Sequence, residues 1–371
     1  MNKLVYKKFN KDCLSFFILS AISITLIIWV IQAVNFLDIV VEDGHGFRIY
    51  FMYTLLNLPK ILSRIIPFIY FLTMIYVVLK YENNNELIIY WTVGINKITF
   101  INSALKFSLY LVIFQLLLTT IIVPKTQEKA RSFLRTSNLE FFGNAIKPKK
   151  FIDTTKNLTI FVEDKDLNGE LKNIYLKDDL GNGDYQIITA KKGNYEDFIL
   201  YLFDGKIFNN KGIKTNHFDF YKTEFNISKF QTKSTVSIKT QENKTIDLVK
   251  CIFNYEFLNV DNREFLFTNC RKNNLKNIYQ EIQRRIINPF YIINISLIAL
   301  FLILRSKESH TFAKYQLIIF ISGISLIIFS EIVLKSTKSS LALNYPHFLL
   351  PVIIFLGLYI YAKKQLYVKN L

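Results

Sequence analysis

Apolar positions in this chain are gathered into long runs instead of recurring at a helical or strand period. The first run, Leu14 to Val34, carries no charge. Ile61 to Leu79 and Ile98 to Val123 follow, the latter interrupted by Lys106. Three more lie far downstream, at Ile286 to Leu304, Tyr315 to Leu334 and Phe348 to Ala362. A helix crossing a bilayer needs about 20 mainly apolar residues, and a soluble chain would be left with large exposed apolar patches. The pattern predicts a membrane protein with six transmembrane helices. The first run is too long for the apolar core of a signal peptide, and no small-x-small site closes it, so it reads as an uncleaved span.

Between the third and fourth runs, from Pro124 to Arg285, the pattern changes to short alternating segments. "NLTIFVED" precedes Asn168-Gly169, and "LKNIYLKDD" precedes a turn at 181–184. "YQIITAKKGNYE" follows, then "DFILYLFDGKIFNN", where Asp204-Gly205 sits between two alternating segments as a hairpin signal. Short strands separated by turn pairs predict an extracytoplasmic all-β, jelly-roll-like domain over 124–278. Three-span halves at 1–123 and 279–371 flank it. Thr232 to Thr245 is polar and reads as extended, and "RKNNLKNIYQEIQRRI" reads as a helix returning to the membrane.

Charge adds orientation. The formal net charge is +17, and much of it sits in short loops beside spans, where Lys and Arg mark the cytoplasmic side. Lys3, Lys7, Lys8 and Lys11 precede the first span, Lys80 and Lys97 bound the loop after the second, and Arg305, Lys307 and Lys314 separate the fourth and fifth. Lys363, Lys364 and Lys369 follow the sixth, whereas Arg48 shares its loop with Asp38, Glu42 and Asp43. Both termini and the 80–97 loop are therefore expected in the cytoplasm, with the β domain outside.

Catalytic chemistry is not apparent. There is no G-x-x-x-x-G-K-[ST], so ATP is not bound through a P-loop of this chain. His45, His217, His310 and His347 are widely separated, and neither H-E-x-x-H nor C-x-x-C occurs. No enzyme, cofactor or metal site is expected. Cys251 and Cys270 fall in the segment placed outside; a bridge is permitted there, nothing in their spacing requires it, and two unpaired thiols are the expectation.

One cytoplasmic stretch stands out. After Asn83-Asn84-Asn85, the run Glu86 to Val93 has the length of two helical turns, with an acid in the first turn and Gly94 as a stop. Such a helix suits either docking into a groove on a soluble partner or lying in the headgroup layer. Asn85 to Gly94, N-E-L-I-I-Y-W-T-V-G, resembles the S-E-[LI]-x-V-x-x-A-x-G segment of the lipopolysaccharide export permeases LptF and LptG, with Asn for Ser and Thr for Ala. Leu58-Pro59 with Pro67, Val123-Pro124, "GNYEDFILYLFDGKIF", and Glu281 with Arg285 match further parts of that family in order along the chain. "E-x-x-R-R-I" and "LKSTKSS" more closely resemble LptF.

The resemblance implies a permease subunit of an ABC transporter that moves lipopolysaccharide from the inner membrane toward the outer membrane. Its implied partners are a sister permease (LptG-like), a cytoplasmic ATPase dimer (LptB-like) and an LptC-like periplasmic protein, with no nucleic acid. Glu86, Leu87, Tyr90, Trp91 and Gly94 become the expected ATPase-coupling helix, near 84–94. An anionic headgroup calls for basic residues at the outer mouth of the cavity. Lys60 and Arg64, four apart on one helical face, and Lys335 at the end of span five are the candidates, with Arg131 and Arg135 as further ones. Snorkelling toward bulk lipid phosphates is the bland alternative for these cations. A signal-transmitting ABC permease would need four spans, and an envelope-modifying enzyme would need a convergent acid, base or metal cluster; neither pattern is present.

Overall fold

The protein, seen in a computed structural model, is described over residues 2–37, 47–133, 148–155, 158–166, 169–181, 184–196, 199–211, 214–226, 239–258 and 270–368. It divides into two compact units. One comprises Met1–Val30, Asn57–Glu128 and Lys239–Leu371; the other comprises Ile31–Leu56 and Lys129–Ile238.

Six helices are long and apolar enough to cross a membrane: Leu4–Asn35, Phe47–Asn83, Lys97–Phe133, Lys272–Leu304, Phe312–Lys335 and Leu341–Leu366. They correspond one to one with the six apolar runs, each extended by polar turns. The fourth is the most buried and packs against the second, third, fifth and sixth, while the sixth is the least buried. Burial sorts the side chains as a bilayer requires. Ile292, Leu297, Ala299 and Leu300 fill the centre, and Ile353, Leu356 and Ile360 point outward. Because hydrocarbon offers no hydrogen bonds, polar atoms inside must be met by protein. Asn294 accordingly donates to the Pro351 carbonyl at 2.9 Å. Small residues let helices approach closely: a Cβ at Gly323 of the fifth span would collide with the Phe71 ring of the second.

Two of the spans contain a wide turn. Leu118–Ile122 in the third and Gln283–Ile287 in the fourth are π-helical, and the two turns pack together. Thr119 Oγ1 donates to the Arg285 carbonyl at 2.8 Å, tying one to the other. Each π turn inserts a residue that re-aims the side chains around it.

Cys251 and Cys270 form a disulfide, contrary to the expectation of two free thiols. The bridge ties the amphipathic helix Thr245–Phe253 to the chain just before the helix Leu275–Ile282, around a small core of Leu248, Leu275 and Ile278. Spacing in sequence could not show this proximity, because it depends on how the two helices pack around that core.

In the other unit six strands form one antiparallel sheet: β1 Lys150–Thr155, β2 Leu158–Lys165, β3 Leu171–Gly181, β4 Asp184–Glu196, β5 Ile199–Lys211 and β6 Lys214–Asn226. Neighbours in the sheet are neighbours in the chain, so the all-β expectation holds as a meander without crossovers. Val162 faces Ile174, Leu176 faces Ile188, and Leu200 faces Phe225, which builds one continuous apolar face. Asp204-Gly205 is not a hairpin turn, as the sequence suggested, but lies inside β5. Asp204 takes a left-handed φ of 51°, and a Cβ at Gly205 would strike the Thr189 carbonyl and the Phe220 ring. That glycine admits a cross-strand aromatic instead of turning the chain.

Candidate functional site

Two features of the helical unit carry the candidate chemistry. The first is the short helix Glu86–Thr92, set between the second and third spans. Asn85 precedes it with a left-handed φ of 61°, a conformation Asn tolerates better than most residues. It ends in a Schellman turn: Ile95 N donates to Tyr90 O at 3.0 Å and Gly94 N to Trp91 O at 3.1 Å, with Gly94 at φ 87°. Leu87 and Tyr90 are buried. Tyr90 joins Tyr81 and Phe100, and Trp91 meets Phe100 edge-on at 5.8 Å while Lys97 lies over its indole. The helix is thus pinned to the ends of the flanking spans by its aromatic face.

Glu86 belongs to the same anchorage. Its carboxylate accepts from Lys8 at 2.6 Å and from the Tyr90 hydroxyl at 3.2 Å. Burial, with that carboxylate beside it, pushes the Tyr90 phenol up to about 12. The residues left facing outward are Ile89, 55% exposed, and Val93, 46% exposed, one turn apart. The sequence offered Leu87, Ile88, Tyr90 and Trp91 for contact with a partner; Leu87 and Tyr90 are instead packed against the spans, and Ile89, which it did not single out, faces outward. Seven residues are too few for a periodicity signal, and Ile89 sits in an unbroken apolar run.

Beside it in the chain, the loop between spans four and five is fixed to the end of span two. The Glu82 carboxylate accepts from the Lys307 backbone N–H at 2.7 Å, and Lys307 Nζ donates to the Asn83 carbonyl at 3.0 Å. Two polar segments on one side of the helical unit are therefore a single braced surface.

The second feature is a cavity of about 470 Å³ whose lining includes Lys60, Arg64 and Lys335, the three residues singled out for an anionic headgroup. Arg284 and Arg285 also line it, with Glu281 and Glu331 as its acids. Cations outnumber carboxylates, and the carboxylates are not evenly shared. Glu281 is committed to both arginines, at 3.0 Å from Arg284 Nη1 and 2.9 Å from Arg285 Nε. Among the described residues, Lys60 Nζ reaches only the amide oxygen of Gln127, at 3.3 Å. Arg64 and Lys335 are exposed within the helical unit, with no ion pair among the described residues. The Gln115 and Asn288 side-chain oxygens, also in the lining, are buried without a hydrogen-bond partner among the described residues.

Arg285 is a structural centre. It is 1% exposed and, besides Glu281, donates at 2.9 Å to the carbonyls of Asn243 and Gln241 and to the Thr245 hydroxyl. It thereby holds the returning chain against the start of span four. Arg284 and Glu331 were not among the sequence candidates. Their signals were the i, i+3 pairing of Glu281 with Arg284 and the i, i+4 spacing of Glu331 and Lys335. Arg131 lies in the other unit and is not part of this lining, and Arg135 lies outside the described residues.

A family model described as "Lipopolysaccharide export system permease LptF/LptG" matches residues 8–364. An uncharacterized protein of Rickettsia prowazekii (strain Madrid E) is 27% identical over 246 residues, 66% of this chain. The match spans 65% of that relative's own length. Six apolar helices and the family match make this a multi-pass inner-membrane protein. The chain belongs to the LptF/LptG family of lipopolysaccharide export system permeases.

Proposed function

We propose that this chain is one permease subunit of an ABC transporter that draws lipopolysaccharide out of the inner membrane and passes it toward the outer membrane. A separate cytoplasmic ATPase dimer supplies the energy, a sister permease completes the cavity, and an LptC-like protein receives the lipid. Withdrawing acyl chains into water costs about 0.8 kcal/mol for each CH₂, so a multiply acylated lipid needs a sheltered path and an external drive. The observation that carries the reading is the meeting of Lys60, Arg64 and Lys335 on one cavity of a six-span unit. Phosphates and acidic sugars would form charge-assisted hydrogen bonds there. Gln115 and Asn288, with oxygens lacking partners, suit the donors of a sugar.

The short helix Glu86–Thr92 is assigned to ATPase coupling. Leu87, Tyr90, Trp91 and Glu86 hold it rigidly to the spans, Gly94 ends it, and Ile89 and Val93 enter the partner's groove. A rigid lever transmits displacement, whereas a loosely held one would absorb it. In this reading the 80–97 loop is cytoplasmic and the β sheet periplasmic, its apolar face receiving acyl chains in transit. The start of span four and the turn after span five favour the LptF side of the pair.

The test is crosslinking in membranes from a photoreactive residue at Gln127. Neutralising Lys60 and Arg64 together lowers lipopolysaccharide capture several-fold while the protein stays folded. Undiminished capture removes the pair from the site.

A further inference from the structure

We infer that the helical unit holds a second lipid site, adjoining the transport cavity at Lys335, which takes an anionic glycerophospholipid of the surrounding bilayer. It is a crevice between the helix Leu275–Ile282 and the start of the helix Leu341–Val368. Its polar end is a cavity of about 570 Å³ lined by four lysines, Lys272, Lys276, Lys335 and Lys338, and by no acidic residue. All four are exposed within the helical unit, and none forms an ion pair with the described residues. Like charges crowded this way repel unless an anion lies between them.

The lysines stand on a fixed frame. Asn344 accepts from the Lys338 N–H and donates to its carbonyl, both at 2.8 Å, which closes the turn. The buried Thr337 hydroxyl donates to Gln283 Oε1 at 2.9 Å, tying that turn to the fourth span. Two nearby acids are committed elsewhere: Glu281 to Arg284 and Arg285, and Glu256 to the Tyr279 hydroxyl and the Leu341 N–H.

One turn along each helix the wall changes character. Tyr279 and Ile282, with Leu341 and Phe348, line an apolar groove of about 240 Å³ closed by Val249 and Phe253. A cationic pocket continued by an apolar groove matches an amphiphile with an anionic head and an acyl chain. Basic pockets between membrane helices are suited to acidic lipid headgroups. Neither part of the crevice is lined by the second or third span, and both use the sixth, the span least buried by protein. The chain itself leaves that span the most open, and a bilayer phospholipid is the occupant proposed, not the exported glycolipid. The inference needs only the membrane embedding and not the transport reading.

The full-length chain, purified with the subunits that accompany it, is placed in nanodiscs of phosphatidylglycerol mixed with phosphatidylcholine, and retained lipid is read by native mass spectrometry. Phosphatidylglycerol should be retained at least tenfold over phosphatidylcholine. Replacing Lys272, Lys276 and Lys338 by Gln should abolish that preference, and replacing them by Arg should keep it. Equal retention of both lipids by the unaltered protein overturns the proposal without relying on any variant. Displacement of phosphatidylglycerol by equimolar lipopolysaccharide also overturns it, assigning the crevice to the exported lipid. Lipopolysaccharide capture at Gln127 is scored in parallel, so failure here is distinguishable from failure of the transport reading.

Discussion

Arg285 and Arg64 line the same cavity and make opposite use of the same guanidinium. Arg285 is buried and saturated, with Glu281, Asn243, Gln241 and Thr245 all accepting from it. Arg64 is exposed and has no ion pair among the described residues. A desolvated cation left unmatched is destabilising, so the first arginine is part of the scaffold. The second is open to solvent and, in the proposed function, meets a headgroup. Burial and satisfaction, not charge alone, separate the groups that hold this cavity from those proposed to meet a ligand.

The largest effect should come from breaking the satisfied side. Arg285→Ala leaves Glu281 without its buried partner and the Asn243 and Gln241 carbonyls without a donor. The expected loss is about 3–5 kcal/mol, seen as a lowered melting temperature in detergent and poor recovery from membranes. Glu281→Gln added to Arg285→Ala should restore part of it, since the buried carboxylate, left with Arg284 as its one ion-pair partner among the described residues, is then removed.

Removing the disulfide by Cys251→Ser with Cys270→Ser should cost about 2–5 kcal/mol, measured in the same melt. Reductant should reproduce that shift in the unaltered protein and not in the variant. Next in size is Gly323→Val, which drives a branched side chain into the Phe71 ring; overpacking costs about 1–3 kcal/mol.

The unsatisfied side should behave in the reverse way. Lys60→Gln with Arg64→Gln should leave the melt within about 0.5 kcal/mol while lipopolysaccharide capture falls several-fold. Ile89→Asp on the outward face of the short helix should likewise leave stability unchanged and abolish association with the ATPase. Glu86→Lys is a less clean probe of the short helix, because it acts on the anchored side and breaks the pair with Lys8, an exposed contact worth at most about 1 kcal/mol.

The six spans were legible because a bilayer demands long apolar runs and nothing else in the chain imitates them. Lys60, Arg64 and Lys335 could be grouped before their meeting was visible, since each sits where a span leaves the apolar layer. Other features carried no such signature. The π turns at Leu118–Ile122 and Gln283–Ile287 add a residue without altering composition. Asp204-Gly205 has the chemistry of a turn, and only the Phe220 ring packed over it shows why glycine is needed within a strand. Pairing of Cys251 with Cys270 depends on how two helices pack around Leu248 and Ile278. Ile89 and Val93 became distinguishable from Leu87 and Tyr90 only once the aromatic side of the helix was seen against Phe100.

The most direct test places a photoreactive residue at Ile327, in the apolar wall of the same cavity, in the complex reconstituted with lipopolysaccharide and the ATPase, with Ile353 on the outward face of the sixth span as control. The account predicts strong capture at position 327 that is depleted when ATP is added, and weak capture at position 353 that ATP does not change. Equal capture at the two positions, or capture at position 327 indifferent to ATP, would contradict it.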